Sequence, residues 1–298
     1  QKWPATYNWL QSRAVIKSIM GVDKRRTLPL AYSESLQAWW KSFNVKETVN
    51  TQGRVWVLCD LFSQYQEPKV GKAVLESLNA MGLEVEAVFL ESSPRALISQ
   101  GLLDEAKQGL LHIVQQLEGW SNGDYIVGIE PSELLTWRDE AKDLLKDSLP
   151  ETQHTPQGSI KAWSESVLSY EELVLALAKS NQLSKFKKLN RKVWLHVHCH
   201  QKALANPVES QKALELIPGV GVEMISSGCC GMSGDFGYKH YEVSKLIANQ
   251  VLLPTLEQAS SDDWIVATGT SCRHQLAGLG QYSALHIAQV FNQVIEDS

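Results

Sequence analysis

The later half of the chain is organised around Ile225-Ser226-Ser227-Gly228-Cys229-Cys230-Gly231-Met232-Ser233-Gly234-Asp235-Phe236-Gly237-Tyr238. Two adjacent cysteines lie between glycines, directly after an apolar run typical of a β-strand. Because glycine permits backbone conformations that other residues avoid, we expect both thiols on a loop at the carboxyl end of that strand. Taken alone, the pair fits two interpretations equally well: buried structural cysteines, or a metal or redox site.

Two further cysteines favour a shared site. Cys199 lies in His196-Val197-His198-Cys199-His200-Gln201-Lys202, and Cys272 lies in Thr268-Gly269-Thr270-Ser271-Cys272-Arg273. Each follows an apolar, strand-like run, and open α/β sheets place their sites at the carboxyl ends of their strands. We therefore expect four thiols to meet at one edge of a sheet, those of Cys199, Cys229, Cys230 and Cys272.

The α/β pattern occurs twice along the chain. Strands are predicted at 55–59, 85–90 and 125–129, and again at 193–198, 222–226 and 264–268, with helices between them that include a long one over 239–259. Three pairs of positions are separated by nearly the same number of residues, which indicates an internal duplication. These pairs are Cys59 with Cys199, Ser92 with Cys229, and Glu133 with Cys272. Since only Cys59 is a thiol in the first unit, we interpret that unit as a structural partner without a cluster of its own.

The predicted fold class is α/β, with two pseudo-symmetric repeats, mostly parallel sheets and a helical N-terminal lead-in. The lead-in covers 1–53, is rich in aromatic residues and has no ligand spacing. The first repeat covers 54–149, a linker with a connecting helix covers 150–190, and the second repeat with the cysteine site covers 191–298.

Composition excludes several classes of protein. A length of 298 residues with 44% hydrophobic content allows a packed core. The net charge of −5, without a basic stripe, argues against a nucleic-acid partner, and the absence of a run of 18 apolar residues argues against a transmembrane segment. Five cysteines grouped in this way do not form a disulfide framework, so we expect a cytoplasmic protein, with peripheral attachment to the inner membrane as an alternative. Because the chain begins with Gln1, we expect it to be part of a longer protein.

At its cysteines the chain resembles the cysteine-rich CCG domain family. The resemblance is carried by His198-Cys199-His200-Gln201-Lys202-Ala203-Leu204, Ser227-Gly228-Cys229-Cys230-Gly231-Met232 and Gly269-Thr270-Ser271-Cys272-Arg273. Such domains occur in one subunit of heterodisulfide reductase, the glycolate oxidase iron–sulfur subunit, the lactate-utilisation iron–sulfur protein and one subunit of anaerobic glycerol-3-phosphate dehydrogenase. The version here is most similar to the C-terminal part of large FAD-linked dehydrogenases of D-2-hydroxy acids, such as D-lactate and D-2-hydroxyglutarate.

The resemblance implies an iron–sulfur electron-transfer module. The four cysteines would hold a [4Fe–4S]-type cluster, since iron in such clusters prefers soft thiolate ligands. The partner would be a FAD-binding dehydrogenase domain, on the same parent chain or on another subunit, and the sequence does not name the electron acceptor. In the family a further cysteine often stands where this chain has Gly269, so a five-cysteine cluster is not supported. The first repeat keeps the family's frame in Ser92-Ser93-Pro94-Arg95 and Glu130-Pro131-Ser132-Glu133, but without the cysteines.

Other interpretations of the cysteines remain open. A four-thiolate zinc site is one, although two adjacent cysteines strain the backbone when they bind a single small ion. A redox-active disulfide or thiol-based reductase is another. A zinc-stabilised or metal-free scaffold domain of an oxidoreductase complex is a third, and the missing ligands of the first repeat favour it. No catalytic residues are predicted, because the sequence has neither a dinucleotide fingerprint nor a Ser-His-Asp or paired-carboxylate arrangement.

Five neighbours of the cysteines are candidates for tuning the site: His198, His200, Lys202, Gly231 and Arg273. Glycine N–H groups can point at sulfur, the two cations can offset negative charge, and the histidines can relay protons or bind metal. Each has an ordinary alternative as a loop-forming glycine, a surface cation or a structural histidine. Cys272 is expected to precede a helix over 273–279 whose dipole favours a thiolate.

Overall fold

A computed structural model describes residues 3–43, 53–121, 123–148, 160–280 and 282–296. Eight strands form the framework: β1 (Arg54–Cys59), β2 (Glu84–Phe89), β3 (Tyr125–Gly128), β4 (Val167–Ser169), β5 (Arg191–His196), β6 (Val220–Met224), β7 (Trp264–Ala267) and β8 (Ala284–Leu285). The helices that precede β5 are α1 (Pro4–Gln11), α2 (Ala14–Ile19), α3 (Leu36–Trp40), α4 (Leu61–Tyr65), α5 (Pro68–Ala80), α6 (Pro94–Ser99), α7 (Leu103–Gln116), α8 (Pro131–Arg138), α9 (Glu140–Leu145), α10 (Ile160–Ser166) and α11 (Tyr170–Lys179). Those that follow it are α12 (Cys199–Leu204), α13 (Val208–Glu215), α14 (Phe236–Lys239), α15 (Tyr241–Gln250), α16 (Leu252–Leu256), α17 (Thr270–Gln275) and α18 (Ile287–Val294), with a π-helical turn at Leu276–Gly280.

The strands form two four-stranded sheets with the same topology. Their orders are β2-β1-β3-β4 and β6-β5-β7-β8, and every pair of neighbouring strands is parallel. Parallel neighbours need crossover connections, which the intervening helices supply. The predicted α/β class, the two pseudo-symmetric repeats and the helical lead-in are therefore confirmed.

The duplication extends to individual side chains. The indole Nε1 of Trp56 in β1 donates to Asp124 at 3.1 Å, and that of Trp194 in β5 donates to Asp263 at 2.8 Å. Each aspartate lies just before the third strand of its unit. These two tryptophan–aspartate pairs lie at corresponding points of the two sheets, so they show which residues of the two units are equivalent.

This equivalence corrects one predicted pair. Asp60 and His198 occupy the same place, since each caps the helix that follows the first strand: Asp60 accepts from the backbone N–H groups of Phe62 and Ser63, and His198 accepts from that of His200. Cys59 therefore corresponds to Val197 and not to Cys199. It lies fully buried in the core, where burial raises the pKa of its thiol.

The apolar residues form three clusters. The largest lies between the two sheets and includes buried residues of α5, α11, α13 and α18 together with Val57 and Leu195. A second covers the other face of the first sheet around Trp120 and Trp163. A third covers the other face of the second sheet and includes Cys230 and Cys272. Two of the four candidate thiols are thus part of a hydrophobic core, where their positions are fixed by packing.

Several predicted boundaries are corrected. The helix expected over 239–259 is interrupted at Val251, which has φ −141°, and forms α15 and α16. Helix α17 begins at Thr270, so Cys272 lies in its first turn and not before it. The polar segment 149–159 lies outside the described residues. Strand β4 and helix α11 fall within the predicted 150–190 segment, and the domain boundaries stay predictions.

The lead-in contacts both units. Leu36 of α3 is fully buried, and Trp39 and Trp40 pack against the core between the sheets. In contrast, Trp3 and Ile19 are 75% and 77% exposed. Among the helices described, none has the length and apolar character needed to cross a membrane.

Candidate metal centre

The cysteine site lies at the carboxyl edge of the second sheet. Strand β5 is the neighbour of both β6 and β7, so the chain leaves these three strands side by side. Cys199 begins α12 after β5, Cys229 and Cys230 lie on the loop after β6, and Cys272 lies in the first turn of α17 after β7. Open α/β sheets place their binding sites at this edge, outside the carboxyl ends of the strands.

The four thiols form a chain of neighbours that runs from Cys199 through Cys229 and Cys230 to Cys272. Cys229 accepts hydrogen bonds from the thiols of Cys199 and Cys230, and these bonds lower its pKa well below the usual range of a thiol. The same interactions raise the pKa of Cys199. A bond from Cys230, with the neighbouring imidazole of His196, lowers the pKa of Cys272. Cys230 and Cys272 are buried and Cys199 and Cys229 are half-buried, so the site reaches solvent on one side only.

His196 completes the cluster, although its sequence context gave no preference for it over the other histidines. One ring nitrogen of His196 lies within 4.8 Å of the sulfurs of Cys230 and Cys272, and all three residues are buried. Its Nδ1 bonds Ser227 at 2.8 Å, while its Nε2 is buried without a hydrogen-bond partner among the described residues. A buried polar atom without a partner is costly, which makes this nitrogen an available metal ligand or donor to a thiolate.

His198 lies beside the cluster and fills the space next to Gly269. A Cβ at position 269 would lie 2.3 Å from Cδ2 of His198, closer than real atoms approach. The side chain that the family often has at this position is therefore excluded by an imidazole ring. His198 itself lies 3.9 Å from Oε1 of Glu130 and stacks on His200, with ring centroids 5.9 Å apart. Burial lowers the pKa of His200.

Gly231 and Lys202 hold the loop of the vicinal cysteines. The N–H of Gly231 donates to the sulfur of Cys229 at 3.3 Å, which is the kind of backbone contact that tunes a thiolate. Gly231 has φ +92°, and a Cβ there would lie 2.4 Å from the backbone oxygen of Ser244. Nζ of Lys202 donates to the carbonyl of Ser227 at 2.6 Å, so this lysine ties α12 to the loop.

Arg273 connects the cysteine site to the first unit. Its guanidinium forms a two-bond ion pair with Glu67, at 3.0 and 2.5 Å, and is only 5% exposed. Thr270 adds two bonds across the same boundary, from its hydroxyl to Glu67 and from its N–H to Glu130, both at 2.8 Å. The Arg273 cation is therefore neutralised by a carboxylate of the first unit, and its main role here is to fix the turn that carries Cys272.

The corresponding edge of the first sheet carries buried carboxyls in place of thiols. Glu133 occupies the place of Cys272 and pairs with the hydroxyl of Ser93. Burial, with the nearby charge of Asp60, raises the pKa of Glu133 to about 8. Burial, with the charge of Glu130, raises the pKa of Asp60 to about 6. Oxygen donors of this kind are hard ligands and do not replace cluster thiolates, so these residues favour the interpretation of the first repeat as a structural partner.

The second unit has the donor set of a thiolate metal site. Four thiols from three loops form a chain of neighbours, and one ring nitrogen of the buried His196 lies within 4.8 Å of the sulfurs of Cys230 and Cys272. Soft sulfur donors bind zinc and iron–sulfur clusters in preference to magnesium or calcium. The residues present therefore fit a thiolate-bound metal group.

This arrangement defines an α/β domain with a cysteine site at its carboxyl edge. Residues 193–277, which lie in the second unit, match the family model of the cysteine-rich domain, CCG. The match confirms the resemblance that the cysteine motifs carried.

Known proteins match over most of the chain. One subunit of the anaerobic glycerol-3-phosphate dehydrogenase of Escherichia coli (strain K12) is 24% identical over 90% of this chain and 69% of its own length. D-2-hydroxyglutarate dehydrogenase of Pseudomonas putida is 24% identical over 78% of this chain and 22% of its own length. Lactate utilization protein A of Bacillus cytotoxicus is 24% identical over 80% of this chain and 96% of its own length. The chain thus corresponds to nearly the whole of one relative and to a small part of another.

Proposed function

We propose that this chain is an iron–sulfur electron-transfer module of a FAD-linked dehydrogenase. The observation that carries the proposal is the chain of four neighbouring thiols from three strand ends, with the buried imidazole of His196 beside two of them. Cys199, Cys229, Cys230 and Cys272 would hold a [4Fe–4S]-type cluster, which supplies one-electron transfer when it is bound. The residues around them bind, orient and shield it.

The neighbouring side chains have separate tasks in this proposal. Lys202 and the N–H of Gly231 fix the loop of the vicinal cysteines. Arg273 fixes the Cys272 turn against the first unit. His198 excludes a fifth cysteine at position 269, which favours a four-cysteine cluster over a five-cysteine one. His196 is a further ligand or a donor to the Cys272 thiolate.

The relatives suggest which dehydrogenase the module serves. Their names refer to glycerol-3-phosphate, D-2-hydroxyglutarate and lactate. We propose that the parent enzyme oxidises a D-2-hydroxy acid, D-2-hydroxyglutarate or D-lactate, and that a FAD-binding domain on the same chain or on a partner subunit accepts the hydride. This module would then pass electrons singly to an acceptor. We place the protein in the cytoplasm or peripherally at the inner membrane.

The test is metal analysis of protein purified without oxygen. We expect several iron and sulfide ions per chain, a broad absorption near about 400 nm, as is usual for thiolate-bound iron–sulfur clusters, and bleaching by one-electron reductants. Replacing Cys199, Cys229, Cys230 or Cys272 by serine should each remove most of the iron. Cys59→Ser is the matched control and should retain it, because Cys59 lies in the core away from the four thiols.

Two other outcomes would overturn the proposal in different ways. A colourless protein with one zinc per chain would make the domain a zinc-stabilised scaffold of an oxidoreductase complex. A metal-free protein with a reductase activity that depends on Cys229 or Cys230 would make it a thiol-based enzyme. The missing ligands of the first repeat, where Glu133 stands in the place of Cys272, favour the scaffold as the second candidate.

A further inference from the structure

Arg26 of the lead-in lies behind the vicinal cysteines. Its side chain is 2% exposed, although it comes from a segment that is distant in sequence from the site. Its Nε donates to the carbonyl of Gly237 at 2.7 Å, Nη1 donates to Oε1 of Gln275 at 2.8 Å, and Nη2 donates to the hydroxyl of Ser244 at 2.6 Å. All three acceptors are neutral.

These acceptors are the groups that shape the cysteine loop. Gln275 donates to the carbonyl of Cys230 at 2.9 Å, and Ser244, whose hydroxyl accepts from Arg26, also places its backbone oxygen where a Cβ at Gly231 would lie. Gly237 closes the loop by donating to the carbonyl of Met232 at 2.7 Å. The Arg26 guanidinium is thus one hydrogen-bonded residue away from the backbone of Cys230.

The charge of Arg26 has no carboxylate partner in the described parts of the chain. The two nearby carboxylates, Asp23 and Glu242, both pair with the exposed Arg25, at 2.8 and 2.5 Å. Tyr241 offers only its ring face, 4.9 Å from the Arg26 guanidinium. A buried cation without a counter-charge is strongly destabilising, so its compensating negative charge should lie close by.

The thiol cluster can supply this negative charge, because only Gln275 lies between the Arg26 guanidinium and the backbone of Cys230. The other two cations at the site are already accounted for: Arg273 is paired with Glu67, and Lys202 is partly exposed to solvent. A centre held by four thiolates is anionic and becomes more so when it accepts an electron. A buried cation beside it therefore stabilises the reduced form more than the oxidised form.

We propose that Arg26 is the counter-charge of the metal centre: it offsets the negative charge of the thiolate-bound group and raises its reduction potential. The proposal rests on the proposed function, and it gives the lead-in a role in the chemistry of the site. Arg26 is a positioning residue here, acting through charge and through the loop that it holds.

The test compares Arg26→Gln with Arg25→Gln in full-length protein purified without oxygen. Both variants lose one positive charge, but Arg25 is 44% exposed and already paired with two carboxylates. We expect Arg26→Gln to lower the ratio of reduced to oxidised centre at a fixed potential by about tenfold, equivalent to about 59 mV for one electron. Arg25→Gln should change it little. The readouts are iron per chain and the midpoint of an anaerobic redox titration.

Arg26→Lys separates charge from hydrogen-bond geometry. If Arg26→Gln retains its iron and has an unchanged midpoint, the proposal is wrong. If Arg26→Gln loses the iron, Arg26→Lys decides: recovery of iron with a midpoint near wild type supports a counter-charge, whereas loss of iron in both variants means that Arg26 only holds the loop. A wild-type protein without redox-active iron would instead refute the proposed function.

Discussion

Three glycines around the vicinal cysteines allow the contributions of backbone conformation and close packing to be separated. Gly228 has no unusual φ and no atom within 4 Å of a Cβ built on it. Gly234 has φ +61° but is equally open, whereas Gly231 has φ +92° and a backbone oxygen 2.4 Å from the Cβ position. Alanine substitution at the three positions should therefore give three different results.

The expected destabilisation follows from these geometries. A positive φ costs alanine about 1–2 kcal/mol, so Gly234→Ala should lower the free energy of unfolding by about that amount. Gly231→Ala adds a collision with the backbone of Ser244, and overpacking of this kind costs about 1–3 kcal/mol more. We expect a total of roughly 2–5 kcal/mol for Gly231→Ala. For Gly228→Ala the change should stay within about 0.5 kcal/mol.

Urea unfolding of the metal-free protein measures these differences, and iron per chain after anaerobic purification shows their effect on the site. Gly231→Ala should lose iron most strongly, because the N–H of this residue bonds the sulfur of Cys229. The result that refutes the reasoning is Gly231→Ala no less stable than Gly234→Ala. In that case the contact with Ser244 would be relieved at little cost, and the glycines would serve only as loop formers.

Further substitutions test the first unit and the space beside the cysteines. In the folded protein Glu133 keeps its proton up to about pH 8, whereas in the unfolded chain the same carboxyl loses it near pH 4.5. The free energy of unfolding should therefore fall as the pH rises from 4.5 to about 8. Glu133→Gln should remove this pH-dependent loss of stability, which is on the order of 4 kcal/mol between pH 5 and pH 8. Urea unfolding at the two pH values measures it, and a variant whose stability depends on pH as strongly as wild type would contradict the prediction. Glu67→Gln should lower the free energy of unfolding by about 2–4 kcal/mol and reduce the iron content, because it leaves Arg273 buried without its partner. Wild-type values of both quantities would show that this ion pair does not hold the Cys272 turn. Gly269→Cys should lower iron content by collision with His198, and adding His198→Ala should restore it; a single variant with extra iron would contradict this.

The sequence predicted the fold well because its signals are local. Apolar runs such as Val55–Cys59 mark strands, and Pro131 marks the start of a helix. The position of the four cysteines after three adjacent strands could be predicted from a topological rule that needs only the order of strands. Cys59 corresponds to Val197, two residues before Cys199, so a shared cysteine does not mark equivalent backbone positions in the two units. The helix caps at Asp60 and His198 show the equivalence that the backbone requires.

Contacts between distant segments could not be predicted from local sequence patterns. No pattern links Arg26 to Gln275, Glu67 to Arg273 or Glu130 to Thr270, because each pair joins elements that meet only when the two units and the lead-in have packed.

The role of His196 was equally ambiguous in the sequence. Its spacing matched that of His198 along the strand, and only the buried Nε2 without a partner distinguishes it.

These long-range contacts give the first unit a structural role although it has only one thiol, Cys59. The Cys272 turn is held by Glu67 and Glu130 of the first unit, and the loop of the vicinal cysteines is held by Arg26 of the lead-in. The α12 segment is held by Glu171 of α11, which accepts from Gln201. Each of the three loops that carry a candidate ligand is therefore supported by a charged side chain from outside residues 193–277, the part that matches the cysteine-rich family. The first unit and the lead-in therefore hold those loops in position, and the geometry of the site depends on residues outside 193–277.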